Sequence, residues 1–317
     1  MMELFLVRVP GLYTTVQDAG RFGYLDRGVP PSGALDTFAY RMANLLVGNP
    51  AGSAVLEIAM TGPVLEVLAE ADIALTGAEM GMTLSGEAAA GWRAHRVRRG
   101  DVLRIPKAVK GCRAYLSVTG GIEVPLVMGS RSTLVRAKLG GLEGRILKKG
   151  DVISRGKGVL LSTPRRLPGH WIPEYGPDIT LRAIPGPQDD YFTRAMESFF
   201  NSSYEVSVET DRMGYRLKGP PIFRDEGRPE SIVTEPTMPG NVQVPADGQP
   251  IIVLVEQTTG GYMKIATVIT PDIPRVAQAM PRNRIRFEKV TLDEAHVLFR
   301  IEAGRMREIE EHLSSKN

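Results

Sequence analysis

The feature that most constrains this chain is a series of short apolar runs set off by glycine, proline and Asp-Gly pairs. They fall at residues 4–9, 55–60, 73–76, 102–105, 114–118, 179–184, 251–255, 265–269 and 285–287. Each is rich in Val, Ile and Leu. Branched side chains suit a pleated surface, and runs this short cannot supply the buried face of a long helix. With 34 glycines and 23 prolines between them, they predict a mainly β protein of barrels or sandwiches, not alternating βαβ units.

Four helices interrupt the pattern. Residues 35–47 place Leu35, Phe38, Ala39, Met42, Ala43 and Leu46 on one face, and Gly48, Asn49 and Pro50 stop the helix. Residues 188–200 follow Pro187 and carry Asp189 and Asp190 where the helix dipole favours carboxylates. Residues 273–280 begin after Asp272 with an early Pro274. A last helix starts at Thr291, where Glu294 completes a capping box, and runs to about Leu313. Two echoes, Arg98-Arg99-Gly100-Asp101-Val102 and Lys148-Lys149-Gly150-Asp151-Val152, read as the same hairpin chemistry used twice.

A chain of 317 residues suggests two domains. The proline-stiffened stretch 162–177 is the natural boundary. It predicts an N-terminal β-barrel domain at 1–165 and a C-terminal one at 175–313. The balance of 39 basic and 36 acidic residues, net +3, argues against nucleic acid as a partner. A single cysteine, Cys112, rules out an internal disulfide. The first residues lack a basic leader, and no stretch of eighteen apolar residues occurs, so a cytoplasmic protein with no membrane span is expected.

Several catalytic devices are missing. There is no Gly-x-x-x-x-Gly-Lys-Ser/Thr phosphate loop, no dinucleotide fingerprint after a strand and no Gly-x-Ser-x-Gly elbow. The four histidines show no ligand spacing, so no metal site is expected. Chemistry here must rest on carboxylates, amides, hydroxyls, Arg and Lys. That set suits hydrogen-bonded recognition of a small amide or carboxylate, and stabilisation of a developing oxyanion.

Three segments concentrate such groups in turn contexts. Residues 14–24 hold Gln17, Asp18 and Arg21; Asp18 and Arg21 either pair with each other or face a substrate. Residues 28–36 deliver the chain to the first helix, where Ser32 or Asp36 caps the helix or the free amides meet an anion. The third is the densest. Gln243, Asp247, Gly248 and Gln249 precede the 251–255 run; Glu256, Gln257, Thr258, Thr259, Gly260, Gly261, Tyr262 and Lys264 follow it. A plain hairpin needs the glycines but not Gln-Thr-Thr before them. A further stretch, 210–217, reads as a turn stapled by an Asp–Arg pair.

These residues resemble the family named for the C subunit of 5-oxoprolinase, also called allophanate hydrolase subunit 2 or biotin-dependent carboxyltransferase-like. The matching segments run in order along nearly the whole chain. They include Pro10-Gly11-Leu12 with 14–24, then 28–36, Ala43-Asn44-Leu45-Leu46-Val47-Gly48-Asn49-Pro50, Thr61-Gly62-Pro63, Gly129-Ser130-Arg131-Ser132-Thr133, Pro185-Gly186-Pro187, 211–217, 243–251 and 258–262. Thr234-Glu235-Pro236 stands where members usually carry Ser-Glu-Gly, and Met263 stands in for a common proline.

The resemblance implies two β-barrel domains, the second cyclophilin-like. It implies a B-type partner, of the allophanate hydrolase subunit 1 kind, and an A-type partner. With them the chain would open 5-oxo-L-proline to L-glutamate using ATP. Two other roles stay open within it: carboxyl transfer from biotin to urea or another amide, and non-catalytic regulation through a B-type partner. The expected catalytic residues are Asp18, Arg21, Asp247, Glu256 and Lys264. Asp36, Gln243, Gln249, Thr258, Thr259, Gly260, Gly261 and Tyr262 are expected to contact a small amide or lactam.

Overall fold

A computed structural model describes residues 2–314. The chain forms two compact units. The first comprises residues 2–22, 32–175 and 307–314, and the second residues 23–31 and 176–306.

The first unit holds two sheets around one apolar core. The seven-stranded sheet runs, in spatial order, Ile122–Glu123, Val152–Arg155, Met2–Val9, Val64–Val67, Val102–Arg104, Thr83–Leu84 and Glu87–Ala88. The five-stranded sheet runs Tyr13–Gln17, Val55–Ala59, Lys110–Val118, Ala71–Glu79 and Ala94–Val97. Leu4, Val7, Leu65 and Leu103 from the first meet Leu56, Ile58, Ile73 and Leu116 from the second. Helix α1, Thr37–Leu46, buries the predicted apolar face, and the Thr76 hydroxyl ties it to the second sheet through the Ala39 carbonyl at 2.6 Å. Its N-cap is Asp36, whose carboxylate accepts from the Ala39 amide at 2.9 Å.

The two echoed turns are built alike. Asp101 accepts from the Arg98 amide at 2.8 Å, and Asp151 accepts from the Lys148 amide at 2.7 Å. In each, the chain then starts a strand antiparallel to its neighbour.

The second unit is a closed seven-stranded barrel. Its order is Asp178–Pro185, Met263–Val268, Asn241–Val244, Ile251–Val253, Gly214–Lys218, Ser203–Val206 and Arg284–Lys289, which returns parallel to Asp178–Pro185. A separate two-stranded ribbon joins Glu235–Pro236 to Thr259–Gly260. All nine predicted runs are strands, lengthened or trimmed by a few residues.

The helix expected over 188–200 does not form as one piece. Asp189–Tyr191 is a single 3-10 turn, and helix α2 begins only at Met196 and ends at Asn201. The cause lies outside the segment. The Asp225 carboxylate accepts from the Thr193 amide at 3.0 Å and the Arg194 amide at 3.2 Å, and takes the Thr193 hydroxyl as well, pulling the backbone out of register. Helix α3 is Ile273–Gln278 and helix α4 is Leu292–Ser314. The capping box of α4 is present: the Thr291 amide donates to Glu294 at 2.7 Å and the Glu294 amide donates to the Thr291 hydroxyl at 3.2 Å. Thr291→Ala is expected to cost about 1 kcal/mol, measured as faster amide exchange in the first turn of α4. No helix among the described residues is long and apolar enough to cross a membrane.

Candidate functional site

In the second unit, strand pairing sets Gln243 directly opposite Lys264. Cross-strand partners share a face, so the amide and the ammonium lie side by side. Both are buried, Gln243 at 2% exposure and the Lys264 side chain at 3%. Lys264 forms an ion pair with Glu235 of the two-stranded ribbon. Gln188 locks this pair from the other side. Its amide nitrogen donates to Glu235 at 3.0 Å, and its oxygen accepts from the Lys264 backbone amide at 3.0 Å. The hydrogen-bonded Lys264 ammonium holds the Glu235 carboxyl below its ordinary range; partial burial opposes this and Gln188 reinforces it.

The ribbon lies close over the barrel strand beneath it. Gly260 is opposite Glu235, and a Cβ at Gly260 would sit 2.4 Å from Nε2 of Gln243. A side chain there would displace the Gln243 amide from its place. Gln257 orients the Gln243 amide by donating to its oxygen at 3.1 Å. Nε2 of Gln243, and the hydroxyl of Thr237 at 4% exposure, are buried with no hydrogen-bond partner among the described residues. The Thr237 amide donates to the Thr258 carbonyl at 2.9 Å and the Ile232 amide to the Gly261 carbonyl at 2.9 Å, extending the pairing of the ribbon's two strands at both ends.

Of the predicted set, the structure therefore gathers Gln243, Thr258, Thr259, Gly260, Gly261 and Lys264 into one place. Tyr262, 45% exposed, stands beside them on the chain. Glu256 lies at the start of the same loop, with its carboxylate bound to Arg212 at 2.5 Å. Arg212 was expected within an Asp–Arg staple. The Asp211 carboxylate accepts the Met213 and Gly214 amides at 2.8 and 3.2 Å, and Arg212 reaches Glu256. Asp247 and Gln249 serve their own turn. Asp247 accepts from the Gln249 amide at 3.0 Å, and Gln249 brackets Gly219 with bonds of 2.9 and 3.2 Å.

Asp18, Arg21 and Asp36 belong to the first unit. Asp18 accepts from the hydroxyls of Ser130 and Ser132 at 2.6 and 2.5 Å, and from the amides of Arg131 and Gly20 at 2.5 and 2.9 Å. Arg21 donates to the Ser132 carbonyl. Besides capping α1, Asp36 accepts from the Tyr175 hydroxyl at 3.3 Å, and its amide donates to the Tyr115 hydroxyl at 2.8 Å.

Sequence reasoning missed Glu235, Gln188 and Thr237. Glu235 was visible only as the middle of an unusual Thr-Glu-Pro, and Gln188 only as the residue after Pro-Gly-Pro. No cluster of His, Cys, Asp and Glu among the described residues is arranged to hold a metal ion. The Lys264 cluster also does not fit a nucleoside triphosphate, because its one cation is too few for three phosphates.

The barrel thus carries an enclosed lysine, paired with a half-exposed glutamate, among convergent amides and glycines, and comparison with known proteins supplies its class. Residues 27–289 match the carboxyltransferase domain, subdomain A and B, and the chain belongs to that family. It is similar to the 5-oxoprolinase C subunit of Escherichia coli (strain K12), 41% identical over 90% of this chain and 91% of that protein. It is also similar to the 5-oxoprolinase C subunit of Haemophilus influenzae, 33% identical over 96% of both chains. The crystal structure of the K. lactis urea amidolyase superposes with a TM-score of 0.91 at 33% identity, covering 96% of this chain and 20% of that one.

Proposed function

We propose that this chain is one component of an ATP-dependent 5-oxoprolinase assembly that opens 5-oxo-L-proline to L-glutamate with A-type and B-type partners. The observation that carries this reading is the similarity to the E. coli C subunit, which extends over 91% of that protein. The site chemistry supports it. A lactam offers a carbonyl and an N–H, and 5-oxoproline adds a carboxylate. Gln243, Gln257 and Thr237 supply neutral donors and acceptors, and Lys264 supplies the cation. A lactam is also a poor electrophile, so its opening benefits from coupling to phosphoryl transfer. ATP is held outside the Lys264 cluster, by the assembly.

The test is glutamate release from 5-oxo-L-proline by the co-expressed assembly. Release is expected only with ATP and only when this chain is present. Lys264→Met is expected to lower turnover by about 100-fold, the scale of losing one preorganised charged contact. An assembly that is fully active without this chain would refute the reading.

The superposition on urea amidolyase favours a second reading, carboxyl transfer from biotin to an amide. It requires a biotin carrier on another chain. It predicts carboxylation of urea, with no glutamate released from 5-oxoproline.

A further inference from the structure

Three observations in the second unit have one explanation. The Lys264 ammonium is almost fully enclosed, yet its carboxylate partner is not: the Glu235 side chain is 39% exposed. Glu235 also comes from the ribbon, which is a sheet separate from the barrel. Beneath the ribbon, Nε2 of Gln243 has no acceptor. An enclosed donor without a partner costs free energy in the closed form, so the closed form is held by something else. The Glu235–Lys264 pair, the Gln188 clamp and the Gln257–Gln243 bond hold it, while the backbone bonds at Ile232 and Thr237 join the ribbon's two strands to each other.

We propose that Lys264 and the Gln243 amide form a carboxylate-binding floor, and that Glu235 is an internal stand-in for the ligand's carboxylate. The ribbon residues Glu235–Pro236 and Thr259–Gly260 act as its lid. A carboxylate ligand displaces Glu235 from Lys264 and gives Gln243 Nε2 its missing acceptor. The two anions exchange on one cation, so no buried charge is left unpaired at either end of the exchange. Glu235 moves out to water, where its exposed half already lies. The lid does not need to break a strand of the barrel, because side-chain bonds from Glu235 and Gln257 fasten it there and its own strand pairing moves with it.

The inference deepens the 5-oxoprolinase reading by naming the carboxylate of the substrate as the group this floor recognises. It also stands apart from that reading, because any small carboxylate can probe it. The full chain is titrated by calorimetry with acetate, 5-oxo-L-proline and the neutral lactam 2-pyrrolidone. 5-Oxo-L-proline is expected to bind about tenfold tighter than 2-pyrrolidone, the scale of one charged hydrogen bond. Glu235→Gln is expected to tighten both carboxylates several-fold, because the closed state loses its counter-ion. Gln243→Leu is expected to weaken them, and Lys264→Met to remove the preference for carboxylate over neutral lactam. Hydrogen exchange gives a second readout that does not depend on Lys264→Met folding well. The Lys264 amide, held beneath the lid by the Gln188 oxygen that Glu235 helps to position, should exchange faster in Glu235→Gln and in the presence of acetate.

Equal binding of 5-oxo-L-proline and 2-pyrrolidone, or weaker carboxylate binding in Glu235→Gln, would overturn the inference. The two failures separate cleanly. Acetate binding with this pattern and no glutamate release from the assembly removes the 5-oxoprolinase reading alone. Glutamate release together with weakened binding in Glu235→Gln removes the stand-in alone.

Discussion

Asp18→Ala should destabilise the first unit by about 3 kcal/mol or more, because four donors lose one shared acceptor. The hydroxyls of Ser130 and Ser132 and the amides of Arg131 and Gly20 all converge on this carboxylate. Both serines are fully buried. Each enclosed donor without an acceptor costs about 1–3 kcal/mol, and entering water recovers part of that. The measurement is simple: both tryptophans, Trp92 and Trp171, lie in the first unit, so fluorescence during urea unfolding follows this unit. A midpoint equal to that of the parent would contradict the account.

The pH dependence has a definite sign. Burial would raise the Asp18 carboxyl, but the hydrogen bonds from Ser130, Ser132, Arg131 and Gly20 outweigh it and hold it below the ordinary value of 3.8. A depressed folded value means the stabilisation is complete above the unfolded value and is lost as pH falls through the folded one. The gap between the parent and Asp18→Asn should therefore stay constant near neutrality and narrow only below pH 3.8.

The strands were legible because each short apolar run carries its own evidence: 4–9, 114–118 and 251–255 need no distant residue to explain them. The Thr291–Glu294 capping box and the Asp36 cap were legible for the same reason, since both partners fall within one turn. What was not legible depends on contacts across the fold. The break in the 188–200 helix is imposed by Asp225, more than thirty positions from Thr193 in the chain. Asp18 and Arg21 read as either pairing with each other or facing a substrate, and nothing nearby in the sequence pointed to residues 130–132, which engage both. Lys264 could be picked out as a charged residue in a polar loop. Its partner Glu235 is set by the ribbon register that places it opposite Gly260, and no spacing in the sequence encodes that. Gln243 Nε2 without an acceptor is a property of packing alone.

Arg212→Ala is the second large effect expected, and it tests what Glu256 does. The pair is enclosed, with the side chains 5% and 4% exposed. Removing one member of a buried ion pair leaves the other charged and desolvated, at a cost of about 3–5 kcal/mol. Replacing both, as Arg212→Met with Glu256→Leu, removes the stranded charge and should recover most of that loss, because desolvation offsets much of a buried pair's attraction. The readout is amide exchange at Leu254 and Glu256, whose amides donate to the Met213 and Arg212 carbonyls at 2.8 and 3.3 Å beside the pair. Exchange should accelerate strongly in Arg212→Ala and far less in the double variant. Glu256 begins the loop that carries Gln257, and Gln257 orients Gln243. The single variant should therefore also weaken ligand binding at Lys264, while the double variant largely restores it. If the double variant recovers stability but not binding, the Glu256 carboxylate touches the ligand itself rather than holding the loop that does.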